Sequence, residues 1–230
     1  MGEGAVDGET LKLVREAISA ERFDRYQQAQ PGPDAEARAL RGYVWNIEAS
    51  AAFFGPLHIL EVIMRNAMHQ RLQAHFGRAD WWTEPTLDLH DPARRAVGSA
   101  LGKMTREKPR HVPADVVPEL TFGFWVGLLG RGHDYETRLW RPALHHAFPG
   151  FRGRRTALHG ELKHLLKLRN RIMHHEPIHH RHLEADHDTL LRAIGYVSAE
   201  TAECVRRFDR VPQTLARRGA VERGDAPPSF

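Results

Sequence analysis

The chain has 230 residues, 41% of them hydrophobic, with 33 Lys and Arg against 29 Asp and Glu, which leaves +4 when its 16 histidines are neutral. That supplies one buried core and argues against disorder, and so mild a basic balance makes any nucleic-acid contact the work of a local patch. A single cysteine, Cys204, excludes an intrachain disulfide and a cysteine-based zinc site.

The start, "MGEGAVDGET", is acidic and has no apolar centre, unlike a signal peptide. Leu11, Val14, Ala17 and Ile18 recur at helical spacing, and Phe23 and Tyr26 belong to a second short helix after Ser19. "PGPD" (31–34) breaks the pattern, with Asp34 placed to cap a helix over 35–53 that carries Tyr43, Val44, Ile47 and Ala51 along one side. Gly55-Pro56 is expected to interrupt it, and a second amphipathic helix runs from about 57 to 76, ended by Gly77. Trp81 and Trp82 anchor the next turn in the core. Asp91-Pro92 reads as an N-cap and first helical position, opening a helix to about Lys103.

The three prolines of "EKPRHVPADVVPE" (107–119) mark a loop. A buried helix follows over 119–130, then two short ones near 134–140 and 142–148, and "PGFRGRR" (149–155) is a basic loop. A helix over 156–175 bears Leu158, Leu162, Leu165, Leu166 and Ile172 and is stopped by Pro177. The last helix, 186–208, carries Leu190, Leu191, Ile194, Val197 and Val205. No strand alternation persists, so the expected fold is all-α: one helical domain over 1–212 and a loose tail over 213–230. No uninterrupted apolar run nears the roughly 20 residues that span a bilayer, which predicts a soluble, cytoplasmic protein without membrane contact.

The densest chemistry lies in "LRNRIMHHEPIHH" (168–180). His175 to His179 spells H-E-x-x-H, a zinc-protease pattern that needs both histidines on one helix face. Pro177 forbids that helix, so the zincin reading fails, and no metal or other cofactor is expected. A site gathered from the histidines between His174 and His187 is a weaker metal alternative. Arg169, Asn170 and His174 suit metal-free cleavage of RNA. The 2′-hydroxyl attacks the adjacent phosphorus, histidine takes or gives the proton, and arginine grips the phosphoryl oxygens. Asn170 and His174 are i, i+4 and share a face, whereas Arg169 and His174 point about 140° apart on an ideal helix. Distortion at the helix end, or a second subunit of a two-fold dimer, is then required.

Glu61, Arg65, Asn66 and His69 form a second polar set on the 57–76 helix. Glu61 and Arg65 have the spacing of an ion pair. The apolar residues around them also suit partial burial, with Glu61, Arg65 and Asn66 meeting the Arg169 segment or the substrate. Arg171 belongs either to the same set or to a solvated basic face with Lys163, His164 and Lys167. "FRGRR" (151–155) is a candidate for nonspecific phosphate contact, and "LTFGFWVGLL" (120–129) reads as core.

Five segments taken in order carry a resemblance: "ISAERFDRY", "YVWNIEASAAFFGPLHILEVIMRNAM", "FGRADWW", "LTFGFWVGLL" and "LKLRNRIMHHEPI". The chain resembles the Abi-like (abortive infection) proteins of bacteria, members of the HEPN superfamily of all-helical, frequently dimeric RNA-cleaving domains. The resemblance covers most of residues 15–210. Its most specific part is an arginine, a polar residue, and a histidine after four to six intervening positions, which Arg169, Asn170 and His174 match with four and His175 with five. It implies a HEPN-like helical bundle acting as a metal-independent endoribonuclease of host defence. The implied partners are RNA, a second copy of the chain, and an antitoxin or phage-derived trigger. The alternative is a noncatalytic helical module that binds RNA or a protein partner in a defence or toxin–antitoxin system.

Overall fold

The structure is a computed structural model that describes residues 8–27 and 34–229. Among them every regular element is helical, so the fold is all-α. Helices α1 (Gly8–Ile18) and α2 (Ala20–Gln27) turn at Ser19, whose φ of 85° is left-handed. Phe23 and Tyr26 bury with Ala39 in a small cluster apart from the main core. Of the expected "PGPD" break, residues 31–33 lie outside the described residues, as do 1–7 at the acidic start; Asp34 precedes the next helix without a side-chain cap bond.

Helix α3 (Ala35–Phe76) is continuous over 42 residues, about 63 Å at 1.5 Å per residue. The interruption expected at Gly55-Pro56 does not occur. Proline normally bars its predecessor from helical dihedrals partly by crowding that residue's Cβ, and Gly55 has none. One unbroken helix has one phase, which corrects the expected stripe of Tyr43, Val44, Ile47 and Ala51. The buried side holds Trp45, Ala49, Phe53, Leu60, Met64 and Leu72, while Ala51 is exposed and the other three are half-buried.

Gly77, with φ of 68°, closes α3 in the left-handed conformation, and Trp81 and Trp82 turn back into the core. Helix α4 (Asp91–Glu107) has Pro92 in its first turn and His90, not Asp91, at its cap. The stretch 107–119 is not all loop: it holds one α-helical turn, α5 (Pro113–Val116), started by Asp115 accepting from the Val112 amide (2.8 Å), and a 3₁₀ turn over Val117–Glu119. Helix α6 (Phe122–Gly127) is capped by Thr121 and largely buried. A π-helical turn (Glu136–Trp140) and a 3₁₀ turn (Leu144–Ala147) lead through the basic loop to α7 (Arg155–Met173).

The single helix expected over 186–208 is two, α8 (Leu183–Val197) and α9 (Ala199–Phe208). Ser198 adopts φ −153° and ψ 120° between them, and its hydroxyl accepts from the Thr201 amide (3.0 Å). The expected tail from 213 begins inside a further helix, α10 (Val211–Arg223), with Val211, Thr214 and Val221 buried. Trp45 Nε1 donates to the Thr214 carbonyl (3.1 Å), Arg217 pairs with buried Glu48 (2.8 Å), and Arg218 lies 4.8 Å over the Trp45 ring. Val211 and Val221 join the main core, and these polar contacts to α3, which apolar periodicity does not register, add to that anchor.

Among the described residues, only α3 is long and apolar enough to pass for a membrane span by length and composition, and 44% of its most apolar stretch is buried. Within the bundle it is the central rod, packed by α2, α6, α7, α8 and α10.

Candidate functional site

The end of α7 fixes the geometry. The His175 amide donates to the Ile172 carbonyl (3.1 Å) and the Glu176 amide to the Arg171 carbonyl (2.8 Å). That pair of bonds is a Schellman closure, and it requires a left-handed residue at His175, whose φ is 55°. The helix therefore stops at Met173, four residues before Pro177. Arg171 ties the turn down, its Nε donating to the Pro177 carbonyl (2.9 Å) and its Nη1 lying 3.3 Å from Glu176. From α3, buried Asn46 accepts from the amides of Ile178 (2.8 Å) and His179 (3.1 Å).

This closure separates the expected catalytic residues. Arg169 faces α3 and enters a cleft of about 300 Å³ lined also by Phe54, Leu57, His58, Glu61, Val62, Arg65, Ile172 and Met173. His175 faces the other way, into a cleft with Ser19, Glu21, Arg22, Arg25, Glu176 and Pro177. His174 is exposed at the helix end and lines neither cleft; its amide donates to the Asn170 carbonyl (2.9 Å). Asn170 is exposed, and among the described residues no hydrogen bond joins its side chain to His174.

The second polar set divides similarly. Glu61 Oε2 lies 3.4 Å from Arg169 Nε, so the carboxylate pairs across helices and not with Arg65 along its own. Arg65 shares the cleft, and its buried Nε has no hydrogen-bond partner. A buried donor on a cation without an acceptor is costly, and an anion entering the cleft would relieve it. Asn66 is exposed outside the cleft. His69 Nδ1 accepts from Trp81 Nε1 (3.0 Å), and burial pushes its pKa down, so it anchors the turn after α3 as a neutral ring.

The remaining histidines of the dense segment scatter. His179 packs against Tyr26 with ring centroids 4.5 Å apart and the ring planes tilted by 38°, and its pKa is lowered to about 4, chiefly by burial, with His180 and Arg218 adding to it. Among the described residues no group of three or more His, Cys, Asp or Glu side chains is placed to hold a metal ion.

One constellation escaped the sequence reading. His164, half-exposed on α7, hydrogen-bonds through Nε2 to Asp186, which is only 2% exposed and gripped by Arg181 at 2.6 and 2.9 Å. The only sequence sign was an aspartate among the inward positions at the start of α8. In "FRGRR", Arg155 is structural: it binds Glu136 (2.7 Å) and the carbonyls of Leu129 and Gly130, leaving Arg152 and Arg154 as the exposed cations. Comparison of the chain with protein-family models, with curated proteins and with solved structures gave no match.

Proposed function

We propose that the protein is a metal-independent endoribonuclease built on a HEPN-like helical bundle, acting in the cytoplasm in bacterial host defence. The observation that carries this reading is the α3–α7 cleft, where Arg169 and Arg65 enter together and Arg65 keeps a buried donor unpaired. Two guanidiniums in one cleft suit a phosphodiester, whose oxygens accept from planar forks. Arg169 stabilises the phosphoryl transition state and Glu61 holds it in place. Exposed His174 is the acid or base, brought to the Arg169 of a second copy by two-fold pairing over the Phe54–Met173 face, where both side chains are exposed. The products are a 2′,3′-cyclic phosphate and a 5′-hydroxyl, and an antitoxin or phage-derived trigger controls the activity.

One observation favours a second reading. Within a single chain Arg169 and His174 do not share a cleft, an arrangement that suits a noncatalytic module binding RNA or a protein partner. Cleavage of a mixed single-stranded RNA in excess EDTA separates the two. Wild type is expected to leave cyclic phosphate ends, and Arg169→Ala and His174→Ala each to lose about 10²-fold or more in rate. Equal numbers of inactive copies of the two variants, mixed, should recover activity if the site is shared between subunits. A folded wild type that leaves RNA intact would sink the enzymatic reading.

A further inference from the structure

A second cleft, of about 610 Å³, lies where α3, the π-helical turn, the 3₁₀ turn and the basic loop meet. Arg71, Arg141, Arg152, His145 and His146 line it together with Trp140, Phe148 and Phe151, and none of its lining residues is acidic. Arg71 and Arg152 are exposed and have no carboxylate partner among the described residues. Arg141 reaches Glu136 at 3.3 Å, but the other oxygen of that carboxylate is taken by Arg155 at 2.7 Å. Three guanidiniums therefore stand around one open groove with little to neutralise them.

The groove is also built rather than loose. His145 Nδ1 donates to the Trp140 carbonyl (3.0 Å), which fixes that ring against its neighbour His146, with centroids 3.7 Å apart. The Gly150 amide donates to the Tyr196 carbonyl (3.0 Å), and a Cβ at Gly150 would stand 2.5 Å from the Gly195 carbonyl oxygen. Only glycine lets the loop lie this close to α8. Phe151 then packs edge-on against Tyr196, and a Cβ at Gly153 would meet its ring at 2.6 Å. Arg152 is thus presented between two anchored positions.

The aromatic content decides the ligand class. Trp45, Trp81, Trp82 and Trp125 are buried, and Trp140 is the one tryptophan that reaches the surface, where it borders the cations. Cations spaced along an open groove track a phosphate backbone, and accessible aromatic rings beside them take unpaired bases by stacking. An acidic peptide would use the arginines alone.

We propose that this groove binds a single strand of nucleic acid, phosphates on Arg71, Arg141 and Arg152 and a base against Trp140. The binding does not depend on cleavage at the α3–α7 cleft. Phosphates and base faces are common to RNA and DNA, so both strands should bind alike and duplex more weakly.

The test is fluorescence anisotropy of a labelled uridine oligonucleotide with the full chain carrying Arg169→Ala, so that cleavage cannot consume the probe. The triple variant Arg71→Gln, Arg141→Gln and Arg152→Gln is expected to bind at least about tenfold more weakly. Its slope of log affinity against log salt should be shallower by about 2, from three contacts at about 0.7 each. Trp140→Leu should lose about fivefold or more, and oligonucleotide should quench tryptophan emission in the parent chain but leave that of this variant, which comes from the buried tryptophans, unchanged. Thermal melts confirm folding, and Arg152→Gln alone serves if the triple variant fails to fold. Unchanged RNA affinity in a folded arginine variant overturns the proposal. So does binding of polyglutamate as tight as RNA with Trp140 silent, which would identify an acidic protein surface as the partner.

Discussion

At His175 two readings of one side chain meet: a catalytic imidazole and a helix stop. The left-handed φ at this position is one that glycine adopts freely and that strains a residue with a Cβ by about 1 kcal/mol. His175→Gly should therefore stabilise the fold by about that amount, read as a rise in melting temperature. If His174 is the reacting group, the same variant should keep its RNA cleavage; loss of cleavage in the stabilised protein would transfer the role to His175. The sequence showed which residue types the chemistry needs, and it exposed the tension in Arg169 and His174 pointing apart on a helix. It could not show that a Schellman closure, and not Pro177, ends α7. Nor could it show that Glu61 would choose Arg169 over Arg65, because that choice is made between helices.

Among the elements, helices α4 and α7 and the basic loop show glycine in opposite roles. Gly98 in α4 and Gly160 in α7 are exposed helical positions where a Cβ would meet nothing within 4 Å. Gly98→Ala and Gly160→Ala should each stabilise by about 0.5–1 kcal/mol, additively, in denaturant melts. Gly150→Ala should instead destabilise, because its Cβ would collide with the backbone of Gly195 and lift the loop from α8. Helix content was legible wherever apolar residues recur at 3.6-residue spacing, and it was missed in α5 and α10, where that pattern is weak. Boundaries were less so where one residue reverses the usual rule. Gly55 carries α3 through Pro56, and Ser198 divides a stretch that periodicity alone reads as continuous.

Over the whole molecule, burial is uneven. Phe23, Tyr26 and Ala39 make a small apolar cluster of their own, while α3 from Trp45 to Leu72 sits in the main core. Regions with few buried apolar contacts open locally at lower free energy than the core. Native-state hydrogen exchange should accordingly show α1 and α2 exchanging through a sub-global opening, well before α3 between Trp45 and Leu72. Equal protection of both would mean a single cooperative unit. The α1–α2 pair also borders His175 and packs Tyr26 against His179, so such an opening would bare that side of the α7 terminus.

The contact between Trp45 and Thr214 joins residues 169 positions apart, and Arg217 reaches Glu48 over the same span. A ribosome making this chain would release α3 long before α10. Until α10 emerges the Trp45 side of the central rod lacks that cover, and the carboxylate of Glu48 has no arginine. Long loops must close before such distant contacts reward the closure, which slows the final step. Sealing of this end of the rod thus waits on a segment made long after the rod itself.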